Sequence, residues 1–306
     1  MVCEGIVGRK IQMADNIAWQ NIGLSCVENY LLYLFNKNKI PINCLFYQSG
    51  VSPSDILQHI INGERYATFS GVDRLQCVAQ KMGMSDYQFI RLPMISRDSI
   101  RMGETNTLVC VTPTYVREKY GDSLWRDDHY ILLTTQTAPS QFTYLNDFPY
   151  DQGTISLDEL DHVYQGSLIY VHMLNGGSDI TKAQCLHQYL QFSTCKTNEF
   201  YLPEYVWDDS NMIRDLLLVW KTLRYRLKLF YMSYCSKEDY DDLVPEINVL
   251  LKDLEHELFL FEYWKAKNKL PIGSVVETIQ KLQLRDTEIN KKVYHNLSKK
   301  WSNIYE

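Results

Sequence analysis

The chain has 306 residues, 45% of them hydrophobic and 22% charged, and its 31 Lys and Arg stand against 37 Asp and Glu for a formal net charge of −6. That balance fits a globular protein with room for one large domain or two ordinary ones. It lacks the basic excess of a nucleic-acid binder, and no stretch approaches the roughly 18 uncharged apolar residues of a membrane span.

The N-terminal stretch carries Glu4, Arg9, Lys10 and Asp15 without the apolar run of a signal peptide, so the expected location is the cytoplasm. The first clear element is a helix starting near Ser25. Ser25 is a good N-cap, Glu28 completes a capping box three residues on, and Val27, Tyr30, Leu31 and Leu34 repeat at helical spacing. It should end near Asn38, before Pro41. Pro53-Ser54-Asp55 opens a second helix that buries Ile56, Ile60 and Ile61, and a third, over 72–82, closes at Gly83.

The texture then changes. Residues 87–92, 107–113, 129–136 and 141–146 are short β-branched or aromatic runs between Pro, Gly and Ser, the pattern of strands. The last two should form an antiparallel pair through Ala138-Pro139-Ser140. A short helix begins at Ser156-Leu157, and 167–173 is a further strand. Asn175–Asp179 is the best linker. Beyond it the three-and-four apolar spacing predicts helices over 181–192, 209–234, 238–266, 272–283 and 285–304, with Pro245 in the first turn of its helix or marking its true start. The expected class is α+β with an all-α C-terminal module, divided as 1–174 and 175–306.

Eight cysteines, at 3, 26, 44, 77, 110, 185, 195 and 235, form no C-x-x-C pair, which disfavours a zinc ribbon or thioredoxin motif. Cys26 differs from the rest in its place at a helix start. Helix N-termini favour anions, so a lowered thiol pKa is expected there, and the thiolate is the reactive form. Gln20, six residues upstream across a loop with Gly23, can fold its amide back beside the Cys26 N–H to give two oxyanion donors. The base is expected from another element. His129 opens the most apolar strand, and the next strand returns beside it at Leu145-Asn146-Asp147, so that Asn146 or Asp147 reaches the histidine Nδ1. His162, His172 and His187 are too scattered for metal spacing, and no metal or cofactor of the chain's own is expected. The aromatic residues Phe259, Phe261, Tyr263 and Trp264 read as core.

A Gln, a six-residue step to a Cys at a helix start, then a His strand followed by Asn/Asp resembles the papain-like cysteine peptidase fold. Asn146-Asp147-Phe148-Pro149, Gly153 and Ser156–Leu160 resemble the stretch that follows the base in bacterial members, among them the peptidase domains of bacteriocin transporters and the N-terminal domain of butirosin-type acyltransferases. A cysteine-protease homologue of closthioamide assembly is a further likeness. The resemblance covers about 15–172. It departs from true papains at Val27, where they carry an aromatic residue, in lacking their second cysteine, and in Phe148, which separates Asp147 from Pro149.

The resemblance implies a nucleophile-bearing helix packed on a small antiparallel sheet. It implies Cys26 as nucleophile, His129 as base, Asp147 (with Asn146 as the alternative) as third member, and Gln20 as oxyanion donor. The reaction it points to is amide formation in nonribosomal natural-product biosynthesis. An acyl group would pass from the phosphopantetheine of an acyl or peptidyl carrier protein, through a Cys26 thioester, to a small-molecule amine acceptor. A peptidase or thioesterase using the same residues is the alternative, and a papain-fold binding module without activity is the third. For carrier docking, Arg224, Arg226 and Lys228 are the expected basic patch.

Overall fold

In the computed structural model the described residues are 24–38, 42–63, 75–102, 105–121, 129–147, 150–174, 178–193 and 209–305. They form a mixed α+β protein with a six-stranded antiparallel sheet and a C-terminal helical region. No helix among them is long and apolar enough to cross a membrane.

The chain divides into two compact units. The first holds α1 (Cys26–Lys37), α3 (Leu75–Lys81), β1 (Ser85–Arg91), β2 (Thr105–Val111), α4 (Pro113–Tyr120), β3 (His129–Ala138), β4 (Gln141–Asp147), β5 (Tyr150–Ser156), α5 (Leu157–Val163) and β6 (Tyr164–Met173). The second holds a 3-10 segment (Ile42–Gly50), α2 (Pro53–Ile61), α6 (Ser178–Phe192), α7 (Ser210–Met232), α8 (Lys237–Ala266) and α9 (Ile272–Tyr305). Residues 42–61 thus group with the helices that follow 178, while the flanking elements α1 and α3 belong to the sheet unit.

Helix α1 starts as its sequence dictates. The Ser25 hydroxyl accepts from the Glu28 N–H, and the Glu28 carboxylate accepts from the Ser25 N–H at 2.9 Å. The other Glu28 oxygen accepts from the N–H of Leu75, the first residue of α3, at 2.9 Å. One buried carboxylate therefore serves two helix starts, whose first N–H groups lack intrahelical acceptors. Helix α3 ends where Gly83 takes φ of 65°, a left-handed conformation that costs glycine nothing.

The strands lie in the order β1-β6-β2-β3-β4-β5. Alternation along them separates two faces. One carries Val109, Val111, Ile131, Leu133, Phe142, Tyr144, Leu168 and Tyr170 into a core with Ile95, Ile100, Val116, Ile155 and Leu160. The opposite face carries Leu108, Cys110, Leu132, Leu145 and Ile169, all buried, and α1 packs on it against β3 and β4.

Beyond β5 and the 3-10 segment, which the sequence pattern does not announce, three helices differ from the sequence expectation. Helix α4 takes 113–120, and Thr112 caps it with Pro113 in its first turn, so the expected strand over 107–113 stops at Val111. Helix α8 starts at Lys237 under a Ser236–Asp239 capping box, and Pro245 lies inside it. The carbonyl left without its N–H partner belongs to exposed Asp241, where water can serve it. Helix α9 runs unbroken from Ile272 to Tyr305, across the break expected at 284, because no residue there stops a helix.

The expected basic patch is corrected at its first member. Arg224 is 0% exposed and forks onto Asp286, with 2.6 Å between Nη2 and Oδ2. Two further N–H groups donate to the carbonyls of Ser49 at 2.8 Å and Val51 at 2.7 Å. Arg226 stands over the Phe46 ring, and Lys228 is half-buried. The aromatic residues of α8 also split. Phe261 is core, whereas Phe259 and Tyr263 are exposed.

Candidate functional site

The site lies at one end of the sheet unit, where β3 begins, β4 ends and α1 starts. Cys26 is the first residue of α1 and is half-buried. Its sulfur accepts from its neighbour's N–H, that of Val27, and from the N–H of Tyr130. Tyr130 follows His129 directly, so the thiol stands beside the strand residue next to the expected base.

His129 is 1% exposed and opens β3. Its Nε2 lies 2.5 Å from Oδ1 of Asn146, itself fully buried. An amide oxygen only accepts, so Nε2 carries a proton, and in the neutral ring the lone pair is then on Nδ1. The orienting contact therefore falls on Nε2, where sequence geometry pointed to Nδ1. The nearest Asp147 oxygen lies 3.6 Å from the same nitrogen. Of the two candidates for third member, Asn146 makes the hydrogen bond and Asp147 stands behind it.

The Asp147 carboxylate is directed elsewhere. Asn29 Nδ2 donates to it at 2.9 Å, and the Tyr30 hydroxyl lies 3.4 Å from its other oxygen. Both residues sit on α1, three and four positions after Cys26, on the face that the nucleophile's helix turns to the strands. Burial raises the Asp147 carboxyl above its ordinary value, against the Asn29 amide, the His129 ring, its own N–H and the Tyr30 hydroxyl.

The thiol overturns one expectation. Burial, and after it the Asp147 carboxylate, push Cys26 up to about 12 from an ordinary 9.0. The Tyr130 and Val27 N–H groups pull the other way, and Cys110 adds a small push upward. The helix start does lower the value through the Val27 N–H, but surrounding protein and a nearby carboxylate outweigh it. At neutral pH the resting thiol keeps its proton.

Gln20 lies outside the described residues, as do residues 21–23, residues 122–128 before His129, and Phe148-Pro149. Among the described residues no three His, Cys, Asp or Glu side chains group as metal ligands.

Sequence reasoning missed Asn29 and Tyr30. A signal existed, since both lie one turn beyond the cysteine, where a side chain must meet whatever the nucleophile's turn meets.

No protein-family model matches the chain, and no curated protein matches it. What fold and site define is a mixed α+β protein that gathers a helix-start cysteine, a buried histidine, an asparagine and an aspartate at one sheet end.

Proposed function

We propose that this chain is a papain-like thiol acyltransferase. In this reading Cys26 accepts an acyl group from the phosphopantetheine thioester of a carrier protein and passes it to an amine, forming an amide in nonribosomal natural-product biosynthesis. The observation that carries the reading is the meeting, at one sheet end, of the Cys26 sulfur with the Tyr130 N–H and of His129 Nε2 with Asn146.

The protonated thiol decides the form of the mechanism. No standing thiolate is available, so His129 Nδ1 takes the thiol proton as the sulfur attacks the thioester carbonyl. Asn146 holds the ring in the tautomer that leaves Nδ1 basic. Asp147, whose carboxylate raises the thiol's pKa, opposes a free thiolate. The Cys26 N–H, unpaired within a helix at its first position, serves the oxyanion, with Gln20 assigned as second donor. The intermediate collapses, the carrier's sulfur leaves with the proton from His129, and the acyl group stays on Cys26. An amine then attacks, His129 takes its proton, and the Cys26 sulfur leaves as a thiol. Water in the amine's place gives a hydrolase on the same residues.

The test is incubation with an acyl group loaded on a phosphopantetheinylated carrier protein and a primary amine. Amide should form, together with a Cys26-bound acyl intermediate visible by intact mass. Free acid alone would convert the proposal to a hydrolase. Product formation by Cys26→Ala would remove it.

A further inference from the structure

The β3–β4 pairing runs inward from Leu132 and Leu145, in a register that continues to Tyr130 opposite Asp147. In an antiparallel ladder each such pair exchanges both main-chain bonds or neither, and a strand residue's N–H and C=O point to the same side. The Tyr130 groups that a continued ladder would give to Asp147 are instead taken by α1. The Tyr130 carbonyl accepts from the Tyr30 hydroxyl at 2.7 Å, and its N–H donates to the Cys26 sulfur. The same hydroxyl accepts from the Asp147 N–H at 3.1 Å. One buried phenol oxygen thus stands between the two main-chain groups that would otherwise join each other, and holds the strand ends apart as a fork.

We infer that Tyr30 is a positioning residue, whose hydroxyl keeps the β3–β4 fork open so that the Tyr130 N–H serves the Cys26 sulfur and His129 and Asn146 keep fixed places at the strand ends. The inference rests on reading Cys26 as the nucleophile. Buried main-chain donors and acceptors are paired almost without exception. Without the hydroxyl, the Tyr130 carbonyl and the Asp147 N–H have each other as the nearest partners. Closing that rung turns the Tyr130 N–H toward Asp147 and takes it from the sulfur. The fork is local to the strand ends, because from Leu132–Leu145 onward the two strands pair with each other.

The test is the pH dependence of iodoacetamide alkylation at Cys26 in the full chain, read on the Cys26 peptide by mass spectrometry so that exposed Cys77 does not intrude. Wild type, Tyr30→Phe and His129→Ala are compared. Tyr30→Phe should react at least tenfold more slowly at pH 7, with a profile that converges on that of His129→Ala. 2,3-Difluorotyrosine at position 30, which keeps a hydroxyl, should retain the wild-type profile. A Tyr30→Phe protein with the wild-type profile overturns the inference, as does loss of the profile with difluorotyrosine in place. If wild type and His129→Ala already coincide, the pairing of Cys26 with His129 fails and the inference falls with it. That outcome is distinct from a defect confined to the Tyr30 variants.

Discussion

Both units bury charged or polar side chains at the heart of their packing, and they treat them in opposite ways. In the helical unit Arg224 is fully enclosed and its charge is matched by a carboxylate. Asp286 meets it with two oxygens, the Ser49 and Val51 carbonyls each accept a further N–H, and Asn290 donates to Asp286 at 3.1 Å. In the sheet unit the Asp147 carboxylate has neutral partners, Asn29 and Tyr30, and its closest ring nitrogen is 3.6 Å away. Charge matched by charge makes a fixed lock that pins the end of the 3-10 segment and Val51 to α7 and α9. Charge held by neutral groups, beside a thiol that keeps its proton, leaves a proton to be moved. The comparison teaches that burial alone does not mark a reactive place. What distinguishes the sheet end is a buried carboxylate set beside a thiol and an imidazole.

The sharpest way to break this contrast is His129→Ala. If the sheet end moves protons, losing the base should lower carrier-to-amine acyl transfer by about 10²- to 10⁴-fold, the usual range for a positioned general base. The denaturant midpoint should change far less than the rate. A variant that unfolds early yet turns over normally once folded would make the sheet end a second lock.

The reverse test belongs to the helical unit. Arg224→Met strands Asp286 in a fully buried place, and breaking such a pair costs about 3–5 kcal/mol. Urea unfolding should report a loss of that order. The double variant Arg224→Met, Asp286→Leu should recover much of it, since two apolar groups leave no charge unanswered. Full stability in the single variant would show that the pair is not the lock the geometry describes.

How much of this was legible in the sequence follows from which interactions are local. The α1 capping box is spelled out by Ser25 and Glu28, and the β3–β4 hairpin by two apolar runs around Pro139-Ser140. Both came through because neighbours in the chain decide them. Strand β5 did not, since Asp151-Gln152-Gly153-Thr154 shows no apolar alternation and is a strand only because β4 pairs with it from Gln141–Ser156 to Asp147–Tyr150. Thr112-Pro113 was a legible helix start overlooked at the end of an apolar run. In the same way, Ser236–Asp239 was a better start signal for α8 than Pro245.

At the site, the order Cys26, His129, Asn146-Asp147 was readable because strand order brings those positions together. The direction of the thiol's shift was not, because burial and the Asp147 carboxylate act through tertiary contacts that no local motif encodes. The same limit hid the burial of Arg224, whose partner Asp286 lies 62 positions along the chain.

Asp147→Asn is the smallest change and separates the two kinds of buried carboxylate most directly. The Asp147 carboxyl is raised by burial above its ordinary 3.8, so the folded protein holds that proton more tightly than the unfolded chain does. Stability is then greatest below 3.8 and declines as pH rises through the folded value. The amide lacks the charge while its oxygen still accepts from Asn29. The variant should therefore be at least as stable as wild type at pH 7, with the difference shrinking toward pH 3. Its Cys26 thiol should titrate below about 12, because the second-largest upward push is gone while burial, the largest, remains. Asp286→Asn should behave oppositely, losing stability at pH 7 because Arg224 is left without its counter-charge. If Asp147→Asn also loses stability at pH 7, the carboxylate at the sheet end is an anchor of the same kind as Asp286, and the contrast between the two units fails at its centre.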